Sequence, residues 1–148
     1  MQQAPGMPVL VKRVYDEPSA KDGHRVLVDR LWPRGLTKTR AALDEWLRDL
    51  APSDELRRWY HGRPQEWQSF RRRYLKELSH PEAVDALRRL YALVREPRRV
   101  TLLFASKNQT QNNAVVLKEL LEGRRKPPTG TGPAAQAPGR RQAAARRR

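Results

Sequence analysis

The stretch VTLLFASKNQTQNNAVVLKELL, residues 100–121, decides the fold class of this 148-residue chain. Its first six residues form a short apolar run, which is typical of a central parallel strand buried on both faces. The polar residues 106–111 follow at once and predict a loop at the carboxyl end of that strand. Residues 112–121 then have the pattern of a final helix. A buried strand leading through a polar loop into a helix favours an α/β fold.

Two earlier segments have strand patterns. Residues 9–15 (VLVKRVY) alternate and are rich in β-branched side chains. Residues 25–31 (RVLVDRL) predict a second strand, which ends at the turn sequence Trp32-Pro33-Arg34-Gly35. The link between the two strands is short for a helical crossover, so their relative direction stays open.

Helices are predicted between the second and third strands. Apolar residues spaced by three and four predict a helix over 42–50; they are Ala42, Leu43, Trp46, Leu47 and Leu50. Ser53 predicts the N-cap of a short helix that ends at Gly62. One apolar face marks the next helix, formed by Trp67, Phe70, Tyr74 and Leu78, and Pro81 begins another. The predicted fold is therefore a small, mostly parallel sheet flanked by helices in one domain.

The charge of the chain is concentrated at its C-terminus. The net charge is +15, and residues 124–148 contain eight basic side chains and no acid, so subtracting these eight leaves +7 for residues 1–123. The eight are Arg124, Arg125, Lys126, Arg140, Arg141, Arg146, Arg147 and Arg148. This segment has almost no large apolar residue, which is typical of disorder. The predicted organisation is a loose leader (1–7), a folded domain (8–123) and a disordered basic tail (124–148).

The composition excludes several classes of site. The chain has no cysteine, which excludes disulfides and thiolate chemistry, and its three histidines lack metal-ligand spacing. We therefore predict no metal and no cofactor. The N-terminus lacks the pattern of a secretory signal, and no apolar run approaches the roughly twenty residues of a membrane span. These features predict a cytoplasmic protein without a membrane partner.

Polar residues follow the second predicted strand in the block DRLWPRG, residues 29–35. Arg30 and Arg34 are candidates for bidentate binding of an anion, and Trp32 for stacking on a ring. Asp29 is the candidate general base. In the alternative structural interpretation, Asp29 pairs with an arginine, Trp32 fills the core, and Gly35 serves a tight turn.

A second polar block, SKNQTQNN, follows the third predicted strand. Backbone N–H groups at a helix N-terminus attract anions, and Lys107 adds positive charge. The candidate ligand-binding residues of this block are Ser106, Lys107, Asn108, Gln111 and Asn112. In the alternative interpretation, Asn108 or Thr110 caps the helix and the remaining amides are solvated. Because ligands collect beyond the carboxyl ends of parallel strands, we expect the two blocks to share one site.

Other charged residues carry weaker signals. Arg71, Arg72 and Arg73 lie opposite the apolar face of their helix and are read as a solvated face, with a nucleic-acid patch as the alternative. Asp44 and Glu45 are adjacent on the predicted helix 42–50, where their side chains point about 100° apart and make a poor acid–base pair.

The two blocks, in this order and at this distance, resemble the YeaO-like bacterial proteins, domain of unknown function 488. The resemblance covers about residues 9–122 and rests on DRLWPRG and on TLLFASKNQTQNNAVVL. It implies a compact cytoplasmic α/β domain and brings no established activity, cofactor or catalytic residue. One departure concerns proton transfer, since many relatives have a histidine where this chain has Asn113. Some relatives also have acids or histidine where Asn108 and Gln111 stand.

Two functions follow as hypotheses. The first is a site for a small anionic or nucleotide-like ligand at the carboxyl ends of the strands, with or without catalysis. The second is nucleic-acid binding through the basic tail and surface arginines. A protein–protein module has no sequence feature of its own, and the oligomeric state stays open.

Overall fold

The computed structural model describes residues 9–123. The strands are β1 (Leu10–Arg13), β2 (His24–Leu27), β3 (Glu45–Trp46) and β4 (Val100–Phe104). The helices are α1 (Lys38–Ala41), α2 (Asp54–His61), α3 (Trp67–Glu77), α4 (Pro81–Arg95) and α5 (Asn113–Leu121). Short 3-10 turns cover Ala20–Asp22, Arg48–Leu50 and Pro64–Glu66. The tail prediction for residues 124–148 and the leader prediction for residues 1–7 lie outside the described residues.

The four strands form one parallel sheet in the order β1-β4-β2-β3. All five residues of β4 are buried, so both faces of this internal strand are covered. The predicted α/β class and the central position of β4 are thereby confirmed. β1 and β2 both run parallel to β4, which settles the direction that the sequence left open.

The described residues divide into two compact units. One unit contains residues 9–51 and 89–123, including the whole sheet, and the other contains residues 52–88. The predicted domain boundaries at 7 and 123 stay a prediction, since the segments beyond them are not described. Helix α4 contributes residues to both units, because the division falls between Arg88 and Arg89.

The unit that contains the sheet has its core on the two central strands. Leu27 and Leu103 are fully buried in one cluster with Val14 and Ala41. On α5, Ala114, Val116 and Leu117 have no exposed surface. Asn112 caps this helix, because its side-chain oxygen accepts a hydrogen bond of 3.0 Å from the backbone N–H of Val115.

The predicted helix over 42–50 is wrong. Helix α1 ends at Ala41, its C-cap Ala42 has a left-handed φ of 50°, and the chain then enters β3. Two hydrogen bonds hold this segment beside β2, from the N–H of Asp44 to the carbonyl of Arg25 and from the N–H of Leu47 to that of Leu27. The apolar residues that suggested a helix are used by the strand, since Leu43 and Trp46 pack against the core cluster.

The unit of residues 52–88 is built on aromatic side chains. Phe70 and Tyr74 on α3 are buried, and Phe70 stacks on Tyr60 of α2 with ring centroids 4.3 Å apart. Ser53 caps α2 by accepting a hydrogen bond of 3.1 Å from the N–H of Leu56. The predicted cap, the end of α2 at Gly62 and the start of α4 at Pro81 are confirmed.

Candidate functional site

The carboxyl ends of β1, β4 and β2 lie at one edge of the sheet because the strands are parallel. The block 29–35 leaves this edge shortly after β2, and the block 106–113 leaves it after β4. The two blocks that the sequence singled out therefore begin at the same edge, where ligands collect in open α/β sheets.

Asp29 connects the two blocks directly. One carboxylate oxygen accepts a hydrogen bond of 2.9 Å from the backbone N–H of Ala105, and the other accepts one of 3.0 Å from the side-chain amide of Asn113. The same Asn113 nitrogen donates to the carbonyl of Val28 at 3.0 Å. Both donors are amides, which cannot transfer protons. These two amides fix the position of the Asp29 carboxylate and cannot relay a proton.

We expect Asp29→Asn to destabilise the fold by about 1–3 kcal/mol, because both oxygens of Asp29 accept hydrogen bonds. An asparagine must turn its NH₂ group toward one of the two donors, whichever way its amide lies. Urea denaturation measures the loss. Asp16→Asn is the matched control, since Asp16 is exposed, and its stability should stay within about 0.5 kcal/mol of the parent. Equal stabilities of the two variants would contradict this role for Asp29.

The cationic residues of the two blocks differ in their surroundings. Nε of Arg30 is buried and has no hydrogen-bond partner within residues 9–123. Arg34 and Lys107 are exposed. The backbone carbonyl of Arg34 accepts a hydrogen bond of 2.9 Å from the hydroxyl of Tyr15, which fixes the turn without using the guanidinium. This edge therefore carries positive charge that the described fold does not use.

Trp32 is held in the protein by its ring and by its indole nitrogen. Its indole N–H donates a hydrogen bond of 2.6 Å to the carbonyl of Leu36. Its ring meets that of Trp46 edge-on with centroids 5.5 Å apart, and it packs against the core cluster. Trp46 in turn donates to the carbonyl of Asp29 at 2.7 Å. The two indoles therefore fix the backbone around Asp29.

The polar side chains of residues 106–112 mainly organise their own loop. The Asn108 oxygen accepts from the N–H groups of Thr110 and Gln111 at 3.2 and 3.0 Å, and the Ser106 hydroxyl accepts from the N–H of Asn108 at 3.1 Å. Asn112 caps α5 and also donates to the carbonyl of Asn108 at 2.8 Å. The helix cap is thus Asn112, and the alternative caps Asn108 and Thr110 are wrong.

Arg13 is a residue of this edge that the sequence reasoning missed. It ends β1, and its guanidinium donates to the carbonyls of Ala105 at 2.9 Å and Ser106 at 3.0 Å. The guanidinium also lies over the ring of Tyr15, 5.0 Å from its centroid. A basic residue at the end of a strand was the available signal, but its meaning depended on β1 being next to β4.

Glu45 belongs to a second charged cluster that the predicted helix concealed. It receives two hydrogen bonds from the Arg89 guanidinium, at 2.7 and 2.9 Å, and lies 3.0 Å from Nε2 of His24. The hydrogen bonds from Arg89 lower the pKa of Glu45 to about 2, against the opposing effect of burial and with further help from His24. This cluster attaches the edge strand β3 to α4.

Residues 9–123 contain neither a cluster of metal-ligand side chains nor a helix able to span a membrane. No group of three or more His, Cys, Asp or Glu side chains in this part of the chain is arranged to hold a metal ion. None of its helices is long and apolar enough to cross a membrane.

Comparisons with known proteins find relatives without an assigned activity. A family model described as "Inactive DUF488-N3 subclade" matches residues 8–138. The Escherichia coli protein YeaO, described as uncharacterized, is 47% identical over 115 residues, which are 78% of this chain and 97% of that protein. An uncharacterized protein of Mycobacterium tuberculosis is 41% identical over 116 residues, which are 78% of this chain and 95% of that protein. No solved structure matches the chain.

Proposed function

We propose a binding function without turnover for this chain, which belongs to the family described as the inactive DUF488-N3 subclade. The resemblance to YeaO-like proteins that the two motif blocks indicated is confirmed. The proposed ligand is a small anion, such as a phosphate or a nucleotide, held at the carboxyl edge of the sheet. We further propose that the protein acts in the cytoplasm, which its cysteine-free sequence favours.

The observation that carries this proposal is the state of the charged groups at that edge. Asp29, the candidate base, already accepts hydrogen bonds on both oxygens from amides. Nε of Arg30 is buried without a partner in the described chain, and Arg34 and Lys107 are exposed. Guanidinium and ammonium groups without acidic partners favour anion binding. The description of the family as inactive agrees with binding in the absence of turnover.

Thermal unfolding in the presence of phosphate, sulfate and a nucleoside monophosphate tests the proposal, with sodium chloride at matched ionic strength as the reference. A ligand at about one hundred times its Kd should raise stability by about 2.7 kcal/mol, which is several degrees in Tm. Arg34→Ala should remove most of this shift and leave the Tm without ligand nearly unchanged, because its side chain is exposed.

Arg95→Ala is the matched control, since Arg95 is an exposed arginine at the end of α4. It should keep the full ligand shift. A large loss of Tm without ligand in Arg34→Ala would assign this arginine a structural role. Equal ligand shifts in the parent and in Arg34→Ala would exclude it from the site.

The charge asymmetry of the chain favours a second function, binding of polyanions through the basic tail. The eight positive charges of residues 124–148 have no acid among them. If about five of them contact phosphates of duplex DNA, log K should fall with log salt concentration with a slope near −4 to −5.

A chain that ends at Gly123 should lose most of this slope and keep its ligand-dependent Tm shift. Titration of labelled duplex at several salt concentrations measures both slopes. Equal salt slopes for the full and shortened chains would show that the tail does not contribute to DNA binding.

A further inference from the structure

Trp59 on α2 carries two arginine side chains on its indole ring. The guanidinium carbon of Arg73 lies 4.2 Å from the ring centroid and that of Arg63 lies 5.4 Å from it. Arg63 also donates a hydrogen bond of 2.9 Å to the carbonyl of Trp59. Both arginines are exposed to solvent, whereas Trp59 is half-buried. The two cations are therefore held in defined positions at the surface.

This arrangement prepares the arginines for binding. A guanidinium is planar, and when it stacks on an aromatic ring its N–H groups still point outward from the edge of the plane. Because the stacking already restricts the side chain, less conformational entropy is lost when a phosphate is bound. Arg63 and Arg73 thus combine a phosphate-binding edge with a flat surface on which a base can stack.

Positive charge is concentrated within residues 57–76 of this unit, whereas residues 52–88 as a whole contain eight basic and six acidic side chains. Residues 57–76 contain seven arginine and lysine side chains and one acid, Glu66. Arg58 and Arg72, which precede Trp59 and Arg73 in the chain, are exposed. Within residues 9–123, Arg72 donates one long hydrogen bond of 3.3 Å, to Ser69. The nearest acid along the α2 face is Glu55, one turn before Trp59. Positive side chains therefore outnumber acidic ones within residues 57–76.

We propose that the Trp59 surface, formed by Trp59, Arg63 and Arg73, binds single-stranded nucleic acid. The arginine edges bind successive phosphates, and the stacked planes of arginine and tryptophan receive a base. Single strands expose their bases for stacking, whereas a duplex hides them and an acidic peptide has none. All three residues belong to the unit of residues 52–88.

The test is the binding of a labelled oligothymidylate of about 15 nucleotides to the full chain at several salt concentrations. The variant Arg63→Gln with Arg73→Gln should lose at least about tenfold in affinity. Each lost phosphate contact lowers the salt slope by about 0.7 for single strands, so the slope should decrease by about 1.4.

The matched control is Arg40→Gln with Arg95→Gln, which removes two charges from exposed arginines elsewhere. It should change affinity less than about twofold. The comparison is matched because both double variants keep the tail and have the same net charge. Equal losses of affinity in the two double variants would overturn the proposal.

Two further variants keep the proposal testable if the first does not fold. Replacing Arg63 and Arg73 by lysine keeps the charge and removes the planar fork, so affinity should fall while the salt slope stays. Trp59→Phe should remove part of the tryptophan quenching that accompanies binding, whereas Trp67→Phe should keep it. Unchanged affinity with lysine, or unchanged quenching in Trp59→Phe, would overturn the proposal. Equally tight binding of polyglutamate or anionic vesicles, lost in the same variants, would assign the surface to a protein or a lipid partner.

Discussion

Gly23→Ala is expected to lose at least about 3 kcal/mol of folding free energy or to fail to fold. Gly23 has φ of 66° and ψ of −131°, a conformation that residues with a Cβ rarely adopt. A Cβ at this position would lie close to the backbone of Arg99, 2.8 Å from its carbonyl carbon and closer still to its oxygen. That oxygen accepts a hydrogen bond of 2.8 Å from the N–H of His24, so moving it disturbs the start of β2.

Two other glycines distinguish the cost of the backbone conformation from the cost of the steric clash with Arg99. Gly35 has φ of 78° with open space around it, so Gly35→Ala should cost only about 1–2 kcal/mol for its backbone conformation. Gly62 has φ of −96° and is also open, so Gly62→Ala should be nearly neutral. Urea denaturation of the three variants measures how much folding free energy each one loses. A loss in Gly23→Ala no larger than that in Gly35→Ala would show that Arg99 moves away at little cost.

Asp22→Ala is expected to destabilise the fold by about 3–5 kcal/mol, because it leaves a buried arginine without its carboxylate. Asp22 and Arg25 are 3% and 4% exposed and form an ion pair, to which Lys12 adds a contact of 3.1 Å. Arg25 also donates to the carbonyls of Ala41 and Ala42, at 2.7 and 3.0 Å. The guanidinium therefore stays in place when the carboxylate is removed.

The pH dependence of stability gives a second test of the Asp22 carboxylate, with Asp22→Asn as the variant. Burial alone would raise the pKa of Asp22, but hydrogen bonds from the Ser19 backbone, Lys12 and Arg25 outweigh it and hold the pKa below its ordinary value of 3.8. A lowered pKa adds stability that is fully present above the unfolded value and is lost as the pH falls below it. The stability difference between the parent and Asp22→Asn should therefore shrink below pH 3.8. Parallel stability curves from pH 7 to pH 3 would contradict this.

Strands β1, β2 and β4 and the four longer helices were predictable because local patterns and tertiary contacts agreed. The short apolar run at 100–105 became the internal strand β4, since a strand in a parallel sheet that is covered on both faces buries every residue. The caps Ser53 and Gly62 were predictable because capping depends on nearby backbone groups. Residues 42–50 were not, because their apolar spacing fits a helix equally well. The carbonyls of Arg25 and Leu27, distant in sequence, decide in favour of the strand.

The candidate site was predictable in position and less so in the role of each residue. Parallel strands bring their carboxyl ends together, so Asp29 and the loop after β4 were expected to meet. The pairing of Asp29 with Asn113 could not be read from the sequence, because it depends on how α5 is placed against β2. The same holds for Arg13, whose carbonyl partners directly follow β4, about 90 residues later in the chain. The ligand-binding roles of Arg30, Arg34 and Lys107 stay predictions.

The strand order has a consequence for the synthesis of the chain. β1 pairs with β4, and Leu10 is made 91 positions before its partner Thr101. At roughly 5–20 residues per second, a ribosome needs about 5–18 s to supply that partner. β2 and β3 are made within about 20 residues of each other and are free to pair early. The strand β1 thus waits with an unpaired edge until β4 has been made, and any delay over residues 52–99 lengthens the time in which other strands can bind it.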